Sequence, residues 1–226
     1  GPFVTALAED ELLIDITRLS ELSGIAVRDG MATIGALATH AEIGRSHEIR
    51  KHLPLLAQAA PHIAHAAIRN VGTFGGSLAL ADPAAEWPAC CVALDAQFVI
   101  ARKAGTRRVA AREFFKGLYA TALLPNEVLA RIEIAVPGPD TRSVFVELAR
   151  RRGDYAIVGL AAVAKSATNS EAKSLFMSMF LRNKWFKLSV QILEGASVTG
   201  QSDGRLTRIG NLLRLECPHR AMAWCR

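Results

Sequence analysis

The sequence predicts an α+β fold in which hairpins alternate with short helices. Apolar residues recur at every second position along Val128–Val136, where Arg131 and Glu133 lie between them, a pattern typical of a half-buried strand. Between Leu53 and Ile68 they recur instead at the spacing of a helix and mark one buried face. Turn signals divide the remaining chain into short segments without an internal repeat. Both kinds of element therefore belong to one mixed architecture.

Length and composition fit one large domain or two modest ones. The chain has 226 residues, of which 50% are hydrophobic, enough for a substantial core. Its apolar segments are short and interrupted by charges, and none approaches the roughly 20 residues of a membrane-spanning helix. The acidic run Glu9–Glu11 is unlike the basic start of a signal peptide. We therefore expect a soluble, cytoplasmic protein with no membrane span.

The four cysteines do not form a ligand pattern. Cys90 and Cys91 are adjacent, and Cys217 and Cys225 lie near the C-terminus. No C-x-x-C pair or Cys/His ligand spacing occurs, so we expect no metal or iron–sulfur site held by this chain. A disulfide framework is not indicated at this length, which favours a reducing compartment.

The net charge of +6 comes from one end of the chain. Residues 1–164 contain 17 Lys and Arg and 17 Asp and Glu, whereas residues 165–226 contain 10 and 4. A nucleic-acid-binding protein usually has a basic face built into its fold. Here the excess belongs to a terminal segment of different composition, so we expect no nucleic-acid partner.

The N-terminal part is predicted to contain a strand, a hairpin and a capped helix. Leu12–Ile16 is a short apolar run suited to a buried strand, and Ile25–Ala36 predicts a hairpin that turns at Arg28–Gly30. Thr39 is followed three residues later by Glu42, which is the capping box that begins a helix.

The prolines and histidines of the next helical region are interpreted structurally. Pro54 is favourable in the first turn of a helix, and Pro61 is expected to divide the helical run into two pieces. His40 follows the predicted N-cap and is expected to be solvated rather than a ligand. His62 and His65 fall off the apolar stripe and are expected to be exposed.

The stretch Ile68–Pro83 contains three glycines within five residues, flanked by hydroxyls. Gly72 and the pair Gly75–Gly76 lack the side chain that would hold a ligand at a distance. Inward-turned N–H groups, helped by the hydroxyls of Thr73 and Ser77, would form a nest for an anion such as a pyrophosphate. The alternative is a tight turn without a ligand. A Rossmann site is disfavoured because the G-x-G-x-x-G spacing is absent and the stretch follows a helix.

The remaining elements follow in order. A helix is predicted over Ala84–Leu94, with Asp82 as its N-cap and Pro83 at its first position. Pro137–Pro139 breaks the chain and is the best candidate for a domain boundary. The other predictions are a strand at Gln97–Ala101, a return strand from Arg107, a helical turn at Glu113–Gly117, a strand at Ser143–Ala149, a polar loop at Arg150–Tyr155 and an apolar helix or buried strand at Ala156–Ala164.

Several segments in register resemble one family. The motifs Arg69–Ser77 and Ala81–Pro88 resemble the second flavin-binding motif of the FAD subunits of molybdenum hydroxylases. That family includes the medium subunit of aerobic-type carbon monoxide dehydrogenase and the flavin domain of xanthine dehydrogenase. The match covers residues 1 to about 164. Further matching segments, in the same order, are Leu13–Ile16, Ile34–His40, Leu53–Leu56, Phe114–Gly117, Thr121–Leu123 and Arg152–Ala156.

The resemblance implies a domain layout. Residues 1–138 would form an FAD-binding PCMH-type domain that lacks its first flavin loop, and residues 139–164 would begin a small antiparallel C-terminal domain. The family's first loop, an Ala-Gly-Gly-rich turn, would come just before residue 1. Residues 165–226 show none of the family's pattern and form an atypical basic tail: a diverged domain, a frame-shifted reading or a fused foreign sequence, of which we favour the last two.

The resemblance also implies which residues contact the cofactor. The glycine-rich turn would lie against the pyrophosphate and the ribityl chain of FAD. Glu86 would lie near the ribityl hydroxyls, with a solvated helix residue as the alternative, and Asp82 would be either a contact or a structural N-cap. Tyr155 would lie beside the isoalloxazine ring. The residues proposed to bind FAD are Gly72, Thr73, Gly75, Gly76, Ser77, Asp82, Glu86 and Tyr155, and no residue of the chain is assigned a catalytic or metal-binding role.

The function implied by the resemblance is that of an electron-transfer subunit of an oxidoreductase. A large partner subunit would hold the molybdenum cofactor, a small one would hold two 2Fe-2S clusters, and this subunit would pass electrons through FAD to an external acceptor. One rival is a stand-alone FAD oxidase, which would carry its own substrate domain. The other is a truncated, flavin-free remnant that serves as an interaction module or has no activity.

Overall fold

The computed structural model describes residues 14–167, 171–181 and 184–190, with side-chain surroundings described up to residue 165. Its helices are α1 (His40–Arg45), α2 (His47–His52), α3 (Pro54–Ala59), α4 (Ala66–Arg69), α5 (Phe74–Leu80), α6 (Glu86–Ala93) and α7 (Ala111–Phe114). Its strands are β1 (Ile25–Arg28), β2 (Met31–Gly35), β3 (Gln97–Arg102), β4 (Gly105–Ala110), β5 (Phe115–Gly117), β6 (Ala120–Thr121), β7 (Val128–Ala135), β8 (Thr141–Ala149), β9 (Ala156–Ala167), β10 (Glu171–Leu181) and β11 (Lys184–Val190).

Five antiparallel strands form the first sheet in the order β1-β2-β7-β3-β4. The hairpin between β1 and β2 turns at Asp29 and Gly30, whose φ angles of 50° and 72° are those of a primed turn. Strand β7 occupies the centre, where Ile132 pairs with Ile34 on one side and with Phe98 on the other. The predicted hairpin and the predicted strands at Gln97–Ala101 and Val128–Val136 are confirmed.

The helices pack on this sheet and enclose an apolar core. Phe98 and Phe114 meet edge to face with ring centroids 4.5 Å apart, a favoured aromatic geometry. Pro54 stands in the first turn of α3, as predicted. The capping box of α1 also forms, since the Glu42 N–H donates to Thr39 Oγ1 (3.1 Å) and the Thr39 N–H donates to Glu42 Oε2 (2.7 Å).

A second antiparallel sheet, in the order β8-β9-β10-β11, docks on the helices. The side-chain amide of Gln58 links the two parts. It donates to the Ser143 carbonyl oxygen (3.3 Å) and accepts from the Phe145 N–H (2.9 Å), and α6 packs against β9. Residues 156–164, for which the sequence left helix and strand open, belong to strand β9.

Where the structure describes them, one predicted apolar segment is not buried and another is buried only in part. In Leu12–Ile16, residues 12 and 13 lie outside the described part, and residues 14–16 form no strand, with Ile14 71% exposed. The predicted buried helical face ends at Ile63, because the chain turns after α3 and α4 presents Ile68 to solvent. Periodicity alone could not foresee this, since the turn rotates α4 away from the sheet.

The two predicted domain limits fall at different places relative to the sheets. The break at Pro137–Pro139 lies between β7 of the first sheet and β8 of the second, where a boundary was expected. The predicted basic tail begins at residue 165, inside strand β9, and the backbone of β10 and β11 continues the same sheet to Val190. Residues 191–226 lie outside the described part, so their origin stays a prediction.

Candidate functional site

The glycine-rich stretch forms the beginning of α5 and pairs with the segment that follows β2. The N–H groups of Phe74 and Gly75 each donate over 2.8 Å, to the carbonyl oxygens of Ala38 and Ala36. The His40 N–H donates to the Gly72 carbonyl oxygen over 3.0 Å. These bonds hold the start of α5 against the end of the first hairpin.

All three glycines are closely packed. At Gly76 an added Cβ would lie 2.7 Å from Oγ1 of the N-cap Thr73, whereas at the other two the close neighbour belongs to another segment. A Cβ added to Gly75 would overlap the side chain and backbone of Ala36, and a Cβ on Gly72 would lie 2.8 Å from the Nε2 atom of His40. Real Cβ atoms do not approach other heavy atoms so closely. At these two positions the missing side chain admits a neighbouring part of the protein rather than a ligand.

The predicted nest of free backbone donors is wrong for this stretch. The first two N–H groups of α5 are bonded to the hairpin segment, and the Gly76 N–H donates to Thr73 Oγ1 over 3.1 Å. Thr73 is therefore the N-cap of α5. The parts of the turn left at the surface are Gly76, which is exposed, and Ser77, which is half-buried.

A buried hydrogen-bonded pair, Trp87 and His40, packs against the glycine-rich turn. The Trp87 Nε1–H group donates to His40 Nδ1 over 2.9 Å, and the Trp87 ring meets Phe74 edge to face with centroids 5.2 Å apart. Burial, with a smaller effect of the Arg69 charge, lowers the pKa of His40 from 6.5 to about 4. The prediction that His40 is solvated is wrong, because Trp87 supplies a partner that the sequence spacing does not reveal.

The far end of α5 leads into a strained corner that contains two left-handed residues. Ala81 ends the helix in a left-handed conformation (φ 53°), and its carbonyl oxygen accepts from the N–H of Tyr119 (3.3 Å), which is also left-handed (φ 52°). The predicted N-cap role of Asp82 is wrong. Its Oδ1 atom accepts from the Ala84 N–H over 2.9 Å and closes a turn, while α6 begins two residues later at Glu86.

Glu86 is a buried acid at the first position of α6. The pKa of its carboxyl is raised from 4.5 to about 8, chiefly by burial; its own backbone N–H opposes the rise, and the nearby charges of Glu147 and Asp82 contribute to it. The alternative of a solvated helix residue is therefore wrong. Near neutral pH the carboxyl is largely protonated, so it can both donate and accept hydrogen bonds.

Glu147 is a second buried acid, which the sequence analysis missed. It lies on β8, its side chain is 2% exposed, and burial raises its pKa from 4.5 to about 7. Its Oε2 atom has no hydrogen-bond partner among the described residues, and His62 Nδ1 lies 3.9 Å away. Both faces of β8 carry apolar residues, so the sequence does not say which face is buried. The only sequence signal that could have pointed to Glu147 was an acidic residue within the mainly apolar β8 segment.

Electrostatic interactions show which side chains lie near one another at the end of α5. The Asp82 carboxylate raises the pKa of Tyr119, and Tyr155 raises it further, so the three lie within electrostatic range of one another. Tyr155 is 66% exposed in the loop after β8. The structure thus brings predicted residues Asp82, Glu86 and Tyr155 to one region, together with Tyr119 and Glu147. Thr73 lies at the other end of α5, about 10 Å along the helix from Leu80, and Ser77 lies halfway between them.

The described residues contain neither a candidate metal site nor a membrane-spanning helix. No group of three or more His, Cys, Asp or Glu side chains there could hold a metal ion. None of the helices in the same part of the chain is long and apolar enough to cross a membrane.

A family profile and several known proteins match this chain in sequence. A family profile described as "FAD binding domain in molybdopterin dehydrogenase" matches residues 5–137. The chain is 39% identical over 157 residues to the 6-hydroxypseudooxynicotine dehydrogenase complex subunit alpha of Paenarthrobacter nicotinovorans, covering 70% of this chain and 53% of the relative. It is 38% identical over 163 residues to the carbon monoxide dehydrogenase medium chain of Hydrogenophaga pseudoflava, covering 72% and 57%.

A solved structure agrees with these similarities. The carbon monoxide dehydrogenase from Hydrogenophaga pseudoflava that lacks the Mo-pyranopterin moiety of the molybdenum cofactor superposes with a TM-score of 0.75 and 35% sequence identity. The match covers 78% of this chain and 61% of that one. The chain spans a little over half the length of the curated relatives named above.

Proposed function

Since the chain belongs to the family of FAD-binding domains of molybdopterin dehydrogenases, we propose that it is the FAD-holding part of an electron-transfer subunit in a molybdenum hydroxylase. When bound, FAD supplies the redox chemistry, taking electrons from iron–sulfur clusters of a small partner subunit and passing them to an external acceptor. A large partner subunit holds the molybdenum cofactor and oxidises the substrate. The match of residues 5–137 carries this proposal.

Glu86 is the residue whose surroundings best suit a flavin. Its carboxyl is buried and largely protonated near neutral pH, because burial raises its pKa to about 8. Burying an ionised acid is costly, so this carboxyl is held mainly in its neutral form. The ribityl hydroxyls of FAD are both donors and acceptors, so they match a group that can also do both.

The surface of α5 and the corner beyond it provide the remaining contacts. Gly76 and Ser77 lie at the surface of the first turn of α5, where the Ser77 hydroxyl can donate to a pyrophosphate. At the other end of the helix Tyr155 is 66% exposed, which leaves its ring face open to the isoalloxazine. These residues bind and orient the cofactor, and the role needs no acid–base pair or nucleophile of this chain.

The visible spectrum of the purified chain tests the proposal. The full chain is co-expressed with molybdenum-binding and iron–sulfur subunits, supplied with FAD, and its flavin absorbance is recorded before and after denaturation. We expect bound flavin that is released on denaturation. Replacing Glu86 by Ala should weaken FAD retention, whereas Glu113→Gln, on the exposed side of α7, should leave it unchanged.

The same measurement decides between the proposal and its alternative. A chain that releases no flavin on denaturation, with partners and FAD present, is a flavin-free remnant or an interaction module. Flavin bound equally well by the wild type and by Glu86→Ala would leave the cofactor assignment standing and overturn the role of Glu86.

A further inference from the structure

We propose that Glu147 accepts a hydrogen bond from the pyrimidine edge of the flavin ring, in the cavity between the turn after α3 and the loop after β8. This inference rests on the proposed function, because it assigns a residue to the same cofactor. The sequence resemblance gave Glu147 no role. The structure singles it out through burial and an unpaired oxygen atom.

The cavity is partly open to solvent and has one buried carboxyl in its wall. It has a volume of about 310 Å³, and its walls are Pro61, His62, Glu147, Ala149, Arg151, Arg152 and Gly153. The Glu147 side chain is 2% exposed, and its Oε2 atom has no hydrogen-bond partner in the described part of the chain. His62 Nδ1, at 3.9 Å, is too far to donate. A buried carboxyl oxygen without a donor is destabilising, so a bound ligand that supplies a donor would stabilise this site.

The charges of the walls restrict what that donor can be. Arg151 and Arg152 bring guanidinium groups that only donate hydrogen bonds, and they disfavour a metal cation beside Glu147. A simple anion is disfavoured in turn by the Glu147 carboxylate. The walls therefore offer an acceptor near several donors. The complementary ligand edge is an N–H group flanked by two carbonyl oxygens, and this is the arrangement of N3 between C2=O and C4=O in a flavin.

The walls of the cavity are held in place by short backbone contacts. Gly153 has a φ of 79°, and a Cβ on it would lie 2.5 Å from the carbonyl oxygen of Ala64. Arg69 Nη1 donates to the carbonyl oxygens of Ile63 (2.7 Å) and Ala64 (2.6 Å). The loop after β8 and the turn after α3 are thus packed together, so the site exists before a ligand arrives, which lowers the entropy cost of binding.

The cavity lies near two of the residues predicted to bind FAD, Tyr155 and Glu86. Tyr155, predicted to lie beside the ring, follows Gly153 by two positions. Glu86, predicted to meet the ribityl chain, is close enough to Glu147 for the two charges to interact. In FAD the ribityl chain is bonded directly to the ring. A ring edge at Glu147 with its ribityl chain at Glu86 is therefore consistent with one continuous ligand.

The test compares FAD with N3-methyl-FAD, which lacks the donor, using the full chain with its partner subunits. Dissociation constants come from the quenching of flavin fluorescence. At pH 8.5, where the Glu147 carboxyl with its pKa of about 7 is ionised, we expect the wild type to bind N3-methyl-FAD about 10- to 100-fold more weakly than FAD, as expected for loss of a hydrogen bond to a charged group. Glu147→Leu should weaken FAD by a similar factor and remove the discrimination. Glu147→Gln retains an acceptor oxygen and should still discriminate.

The outcomes separate this inference from the function on which it rests. Equal binding of FAD and N3-methyl-FAD by the wild type overturns the role of Glu147 and leaves the FAD-binding function intact. Discrimination that persists in Glu147→Leu overturns it as well. Failure of the wild type to bind any flavin overturns the proposed function itself. Glu113→Gln, at an exposed acid, is the matched control and should behave as the wild type.

Discussion

Replacing Glu86 by Gln should stabilise the cofactor-free protein at alkaline pH. The carboxyl has a pKa of about 8 in the folded chain, against an ordinary value of 4.5, chiefly because it is buried. The folded state therefore holds a proton that the unfolded state releases between pH 4.5 and 8. The stability that this proton provides is complete below pH 4.5 and is lost as the pH rises through 8.

The size of the effect follows from the pKa difference. Each tenfold change in proton affinity corresponds to about 1.4 kcal/mol, so raising the pKa from 4.5 to about 8 corresponds to about 5 kcal/mol. Gln has a similar shape and does not ionise. The variant should match the wild type near pH 5 and exceed its free energy of unfolding by several kcal/mol at pH 8.5.

Urea denaturation of both proteins between pH 5 and 8.5 measures this difference directly. Glu113→Gln is the control, since that acid is exposed, and its curve should run parallel to that of the wild type. The reasoning is refuted if Glu86→Gln and the wild type lose stability equally over this pH range. Saturating FAD should reduce the advantage of the variant, because the ligand satisfies the wild-type carboxyl.

Two further substitutions test the support beneath the turn. Trp87→Phe removes the donor to His40 Nδ1 and leaves that buried atom unpaired, so the free energy of unfolding should fall by about 1–3 kcal/mol plus the packing lost with the smaller ring; an unchanged urea midpoint would contradict the hydrogen bond. Gly75→Ala should cost about 1–3 kcal/mol, because its Cβ would overlap Ala36. Its matched control is Gly117→Ala, where the nearest atom would be 3.9 Å away, and equal effects at the two positions would refute the packing argument.

Local patterns in the sequence predicted much of the fold correctly. The hairpin at Asp29–Gly30 depends on two neighbouring residues, and the capping box of Thr39 and Glu42 on residues three apart. The strand at β7 follows from strict alternation. Each of these signals lies within a few residues along the chain, so no knowledge of distant neighbours is needed to read it.

Signals that depend on partners distant in sequence were missed or misread. His40 was expected in solvent, but Trp87, 47 residues later, makes it a buried acceptor. Glu147 drew no attention, because the side of β8 that faces the helices is set by the docking of the second sheet. Ile68 was expected to be buried, yet the turn after α3 exposes it.

For the candidate site, the sequence by itself determined the family motif and the order of the residues that match it. Only the tertiary structure decided what the glycines do. Gly72 and Gly75 admit His40 and Ala36, and the first N–H groups of α5 are bonded within the protein, so the turn is a packed helix start rather than an open nest. The structure also decided that Glu86 is buried beside a second acid. Burial and close packing depend on atoms from distant parts of the chain. These atoms come together only when the chain folds.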